Sequence, residues 1–188
     1  MKNYFFITGL PRSRTSWLAN FFTYTGSFCF HEGTRFCANI QDLKDLMDSH
    51  QASSVGNADP ALLYFMDDLK REFPRSKVVL VEREIHETID SFIDFYTSFE
   101  YKNIQEWIEW LYEVMEQIKR KYDVMTVAHD HLNNQETCRE VWDYILPDEP
   151  FDVKRWNLLD ELYINKLVDK HSNHVMKKSL YHRYIKYY

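Results

Sequence analysis

The residues best suited to chemistry lie in one stretch, Gly9-Leu-Pro-Arg-Ser-Arg-Thr-Ser16, which packs two arginines and three hydroxyls into five consecutive positions. An apolar run, Asn3-Tyr-Phe-Phe-Ile-Thr8, precedes it and suits a buried parallel strand. Trp17, Leu18, Phe21 and Phe22 follow at helical spacing, so the stretch reads as a loop between a strand and a helix over 15–25. The first N–H groups of such a helix lack intrahelical partners, and its dipole favours negative charge. Ser13, Thr15 and Ser16 add hydroxyl donors, while Arg12 and Arg14 add fixed positive charge with forked donors. The combination suits a phosphate or a sulfate. The plainer alternative is a βα turn capped by a Ser or Thr.

Comparison with the nucleotide-binding pattern G-x-x-x-x-G-K-[ST] is informative because it fails. Gly9 and Ser16 fit its ends, but Arg14 stands where glycine belongs and Thr15 where lysine belongs. Nucleoside triphosphatases use that lysine on the terminal phosphates, so its absence counts against them. Glu82 counts faintly for them: it ends an apolar run and resembles the acidic strand end that helps hold magnesium. A carboxylate paired to Arg83 or Arg12 is the competing reading.

The elements that must position this loop alternate along the chain. Helix patterns cover 38–49 and 60–73, with a short strand near 53–56 between them that ends in the turn signal Gly-Asn-Ala-Asp-Pro. Lys77-Val-Val-Leu-Val-Glu82 is the clearest strand. Helices follow over 85–98 and 103–121, the latter with Ile104, Trp107, Ile108, Leu111, Met115 and Ile118 on one stripe. A strand over 123–128, a helix over 133–146 and helical character from Val153 to about Lys170 complete the reading, before a basic, tyrosine-rich end from Lys177. Strand–helix alternation predicts an α/β fold, three-layered, with a mainly parallel sheet of four to five strands and helices on both faces. Ligands in such sheets bind beyond the carboxyl ends of the strands, which directs attention to the segments after residues 8, 82 and 128.

The chain has 188 residues, which predicts one domain over 1–188. Its net charge of −6 makes it a poor general nucleic-acid binder, so any anion site must be local. Cys29, Cys37 and Cys138 form no CxxC pair, which fits a reducing compartment. No apolar run approaches a membrane span, and the N-terminus reads as a strand, so the expectation is a cytoplasmic protein without membrane or nucleic-acid partners. His129-x-His131 lacks a third ligand at a recognised spacing, and His171 and His174 share only a helix face, so no metal is implied.

Ile7-Thr-Gly-Leu-Pro-Arg-Ser-Arg-Thr-Ser-Trp-Leu18 resembles the 5′-phosphosulfate loop of sulfotransferases, Pro-Arg/Lys-Ser-Gly-Thr-Thr/Ser. The resemblance implies a relative of the nucleotide kinase fold that binds 3′-phosphoadenosine 5′-phosphosulfate without a metal. Pro11, Arg12, Ser13, Arg14, Thr15 and Ser16 would then form the 5′-side of the donor site, with Arg12 on the bridging oxygen and sulfonate. Arg14 departs from the family's glycine; if that position needs positive φ, arginine costs about 1–2 kcal/mol there. Sulfotransferases also carry an arginine at a strand end and a serine eight residues on, which bind the donor's 3′-phosphate. Arg83 and Ser91 show that spacing.

On the acceptor side, Phe30-His-Glu-Gly-Thr-Arg35 resembles the Glu-Glu-Thr-Arg segment of protein-tyrosine sulfotransferases. The resemblance implies that Glu32 is the catalytic base and Arg35 its neighbour, with Gly33 in place of the second glutamate. His31 is the rival base, because cytosolic sulfotransferases use a histidine. The reaction implied is sulfuryl transfer to a hydroxyl or amine of a small molecule or biopolymer. The alternatives are a magnesium-dependent kinase or nucleotide hydrolase and a non-catalytic nucleotide-binding protein. No pattern encodes the acceptor or the oligomeric state.

Overall fold

The computed structural model describes residues 2–95 and 101–161. The ends of the helices read over 85–98 and from Val153, together with His171, His174 and the basic segment Lys177 to Tyr188, lie outside the described residues.

Among the described residues, five strands pair in one parallel sheet: β1 (Asn3–Gly9), β2 (Ser27–His31), β3 (Ser54–Ala58), β4 (Lys77–Glu82) and β5 (Met125–Ala128). Their order is β2-β3-β1-β4-β5, so β1 is central. The chain builds to one side of β1 with β2 and β3, then crosses to the other with β4 and β5. Register places Gly9 beside Val81 and His31 beside Ala58, which brings the carboxyl ends of all five strands to one edge. The three-layered α/β architecture read from the sequence, a parallel sheet with helices on both faces, is the one found.

Side-chain alternation along the strands divides the core in two. Phe6, Val55, Val78 and Leu80 face one way and pack against α2 (Ile40–Ser49), α3 (Met66–Glu72), α4 (Ile85–Phe95) and α5 (Tyr101–Lys121). Phe5, Ile7, Val79, Val81 and Val127 face the other way, against α1 (Thr15–Phe21), α6 (Gln135–Ile145) and α7 (Val153–Glu161). The α5 stripe is buried as its period predicts, at Ile104, Ile108, Leu111, Met115 and Ile118. α6 buries Cys138, Val141, Trp142 and Ile145 and is capped by the Asn134 side chain, which accepts from the Glu136 amide at 2.8 Å. Trp142 is almost fully buried, stacks on Phe22 and donates its indole N–H to the Glu149 carbonyl at 2.8 Å; burial of this kind contributes about 1.5–3 kcal/mol per large side chain.

Three local readings change. β2 was not legible: Ser27-Phe-Cys-Phe-His31 is short, and its start is set by a tight turn in which Tyr24 and Ser27 exchange backbone hydrogen bonds. That turn also stops α1 at Phe21 rather than Thr25. The helix read over 60–73 begins as a 3₁₀ turn, Pro60–Phe65, because Asp59 caps it locally through the Ala61 amide.

Candidate functional site

The loop after β1 holds strained backbone. Arg12 and Arg14 adopt left-handed conformations, with φ of 68° and 59°. Left-handed backbone costs a non-glycine residue about 1–2 kcal/mol, and such strain collects at functional sites. None of the described glycines has positive φ. Gly9 serves a different need: a Cβ there would collide with the Val81 carbonyl. Arg14 is the residue before α1, and no side chain caps that helix, so the plain capped-turn reading does not hold.

Partners from elsewhere in the chain hold the two strained arginines. Arg83, just past β4, donates Nη1 to the Arg12 carbonyl at 2.8 Å. Arg12 donates Nε to Ser91 Oγ on α4 at 3.4 Å. Arg14 donates Nη2 to Asn133 Oδ1 at 2.5 Å and lies over the Trp17 ring at 6.0 Å. Three guanidinium groups thus gather at the carboxyl edge of an acidic chain. Ser13 Oγ and Arg14 Nη1 are buried with no hydrogen-bond partner. Buried donors without partners cost about 1–3 kcal/mol each, so these two atoms fit an anion with several acceptor oxygens. Pro11, Ser13 and Thr15 are buried, and Ser16 is partly exposed.

The second half of the site begins where β2 ends. Glu32 is also left-handed, with φ of 52°, and leads into the 3₁₀ turn Gly33–Phe36. Its carboxylate pairs with Arg35 and lies 3.9 Å from His31 Nε2. Burial raises the Glu32 pKa, and the Arg35 guanidinium opposes that rise. His31 Nε2 shares a 2.8 Å hydrogen bond with Ser16 Oγ, and burial pushes its pKa down to about 4. The imidazole is therefore neutral at neutral pH and tied to the anion loop.

Several participants were missed by the sequence reading. Asn57 and Asp59, at the end of β3, are buried and bind the backbone that follows Glu32; Gly33 N donates to Asn57 Oδ1 at 2.8 Å and Thr34 N to Asp59 Oδ2 at 3.3 Å. Burial, then the charge of Glu32, pushes Asp59 up to about 6. The available signal was a pair of polar residues at a strand's carboxyl end, which read as turn chemistry. Asn133 was likewise read only as the start of a helix.

Glu82 is paired with neither Arg83 nor Arg12. Its carboxylate takes Lys119 Nζ at 2.5 Å, from α5. His129 hydrogen-bonds Asp130 at 2.8 Å and does not pair with His131. Glu87, His129 and Asp130 bring ligand atoms within 4.8 Å of one another, but Arg83 Nε sits 3.6 Å from Glu87 and supplies a positive charge to the same place. These groups line an open cleft of about 700 Å³ with Glu82, Arg83 and Asp90, beside the anion loop. Among the described residues, no helix is long and apolar enough to cross a membrane.

Comparison with curated sequences finds no match. A solved mouse structure, sulfotransferase SULT7A1 complexed with PAP, superposes with a TM-score of 0.62 at 11% identity, over 95% of this chain and 72% of that one. That likeness carries the fold. The sulfotransferase-domain profile matches residues 5–187, nearly the whole length, and on that match the chain belongs to the sulfotransferase family.

Proposed function

We propose that the chain transfers a sulfuryl group from 3′-phosphoadenosine 5′-phosphosulfate to a hydroxyl or amine acceptor by in-line displacement. One observation carries the donor assignment: Arg12, Arg83 and Ser91, up to 79 residues apart in sequence, are joined by two hydrogen bonds at the mouth of a loop that holds unpartnered buried donors. The bound donor would supply a sulfuryl group on a phosphate leaving group. The chain's residues supply the rest. Ser13, Arg14, Thr15 and Ser16 hold the 5′-side anion. Arg83 and Ser91 distinguish a 3′-phosphate from the hydroxyl of ATP. Arg12 offsets charge that develops on the leaving oxygen.

Glu32 is the group we assign as base. Its raised pKa brings proton affinity nearer the working pH, and Arg35 keeps the carboxylate oriented. The acceptor oxygen or nitrogen loses its proton to Glu32 as its bond to sulfur forms and the sulfur–oxygen bond to phosphate breaks. His31 suits the role less well, because its imidazole is bound to Ser16 and resists protonation. The kinase reading loses support for a similar reason: Glu82 is neutralised by Lys119.

The test is a thermal-shift titration with 3′-phosphoadenosine 5′-phosphate, ADP, and ATP with magnesium. A ligand at a hundred times its Kd stabilises by about 2.7 kcal/mol, roughly 5–10 °C for this size. Stabilisation by the 3′-phosphorylated nucleotide above both others is the expected outcome. A larger shift with ATP and magnesium would replace this reading with the kinase one.

A further inference from the structure

The end of β3 meets the turn that carries Glu32 in an unusual way. Three consecutive amides of the turn are each taken by one of three consecutive residues. Glu32 N donates to the Ala58 carbonyl at 3.0 Å, Gly33 N to Asn57 Oδ1 at 2.8 Å, and Thr34 N to Asp59 Oδ2 at 3.3 Å. The Thr34 hydroxyl adds a further bond to the same Asp59 oxygen, while the other oxygen caps Ala61 N at 2.9 Å. The two side chains involved, Asn57 and Asp59, are 0% and 1% exposed. Resting on the reading of Glu32 as base, we propose that Asn57 and Asp59 are positioning residues that hold the Glu32 carboxylate in its reactive place.

Burial explains why these contacts have a purpose beyond filling space. A buried amide and a buried carboxylate are costly unless hydrogen-bonded, and a hydrophobic pair would fill the strand end without that cost. Here their acceptor atoms are directed at a turn in which a non-glycine residue, Glu32, is left-handed. Such a conformation persists only where its surroundings over-determine it. The fit extends to Gly33. A Cβ at that position would stand 2.8 Å from Asn57 Oδ1 and 3.2 Å from Phe30 Cβ, so the Asn57 side chain occupies the room a larger residue at 33 would need.

Asp59 also acts by charge. The titratable and charged groups that interact with it are Glu32 and His31 from the β2 end, with Arg35 on the other side of Glu32 and Cys37 after the turn. The Glu32 charge adds to burial in raising the Asp59 pKa, which couples the two groups electrostatically. Asp59 therefore fixes the place of Glu32, whose proton affinity burial raises and Arg35 lowers.

The experiment reads Glu32 without needing an acceptor. Carboxyl carbons are labelled in the full chain, and the Glu32 resonance, assigned by its loss in Glu32→Gln, is titrated with 3′-phosphoadenosine 5′-phosphate bound. Wild-type Glu32 titrates above the ordinary glutamate range. Asp59→Asn lowers its midpoint, because one of the two oxygens that take Thr34 and Ala61 is lost and the turn loosens. Asn57→Ala lowers it too, because the freed turn lets water reach the carboxylate, and Asn57→Asp, which restores the acceptor for Gly33 N, brings it back up. If Asp59→Asn does not fold, the Asn57 pair decides alone. An unchanged Glu32 midpoint in folded Asn57→Ala overturns the proposal.

Turnover, read as nucleotide product release, separates the two readings. A dead Glu32→Gln beside an Asn57→Ala of wild-type kcat overturns positioning and leaves the base assignment standing. A Glu32→Gln of wild-type kcat removes the base assignment and the positioning role with it. Our expectation is a kcat at least tenfold lower in Asn57→Ala, with the donor KM within twofold of wild type.

Discussion

Ser16 Oγ and His31 Nε2 lie 2.8 Å apart, one in the first turn of α1 and the other at the end of β2. This hydrogen bond joins the anion loop to the segment that carries Glu32. The two halves of the site therefore share one rigid connection, at a histidine that burial keeps neutral. Loss of either partner should disturb both halves together.

The pH dependence of stability follows with opposite signs from two neighbours. The His31 pKa is lowered from 6.5 to about 4, so the unfolded chain binds more protons between those values, and stability falls as the pH drops through that window. The Asp59 pKa is raised from 3.8 to about 6, so there the folded chain binds more protons, and stability rises as the pH drops through that window. Each contribution amounts to about 1–2 kcal/mol by pH 5. Melting curves from pH 7.5 to 5 should show His31→Asn gaining stability on acidification relative to wild type, and Asp59→Asn losing it.

Arg83→Ala removes both a guanidinium and the donor that holds the Arg12 carbonyl. Hydrogen bonds to charged groups are worth about 1.5–3 kcal/mol, roughly 10–150-fold in affinity. Calorimetry should find 3′-phosphoadenosine 5′-phosphate weakened by that factor and ADP weakened less. Equal losses for the two nucleotides would show that Arg83 does not recognise the 3′-phosphate.

Arg14→Gly relieves left-handed strain of about 1–2 kcal/mol. It also removes the exposed guanidinium hydrogen bond to Asn133, which solvent screening reduces to about 0.5–1.5 kcal/mol, and the contact with Trp17. Chemical denaturation should place the variant within about 1 kcal/mol of wild type. Affinity for the 3′-phosphorylated nucleotide should fall nonetheless, because a cation has left the loop. A variant that is more stable and binds as tightly would make Arg14 a passenger.

Gly56→Ala tests the core beneath the site. A Cβ there would enter the Phe5 ring, which is 2% exposed and cannot retreat. Overpacking of this kind costs about 1–3 kcal/mol, so thermal melting should drop by roughly 2–10 °C. Phe5→Leu in the same chain should recover part of the loss.

What the chain determined locally, it declared locally. Apolar runs, helical stripes and the Arg-Ser-Arg-Thr-Ser loop are patterns of neighbouring residues, and they sufficed for the α/β class, for β1 and β4, and for placing Arg12 through Ser16 after a strand. The Arg83–Ser91 spacing was legible for the same reason, since both residues lie within one strand–helix step. Tertiary structure decided the rest. Glu82 turned to Lys119, 37 residues on, because α5 packs against the sheet beside β4. Asn57 and Asp59 met Gly33 and Thr34 because β2 pairs with β3 in a register that sets His31 beside Ala58. The His31 pKa fell below its ordinary value only when that pairing partly buried the ring. Local periodicity reports how a segment folds. Which strand ends meet depends on the order β2-β3-β1-β4-β5, and with it the burial and charge that set proton affinities.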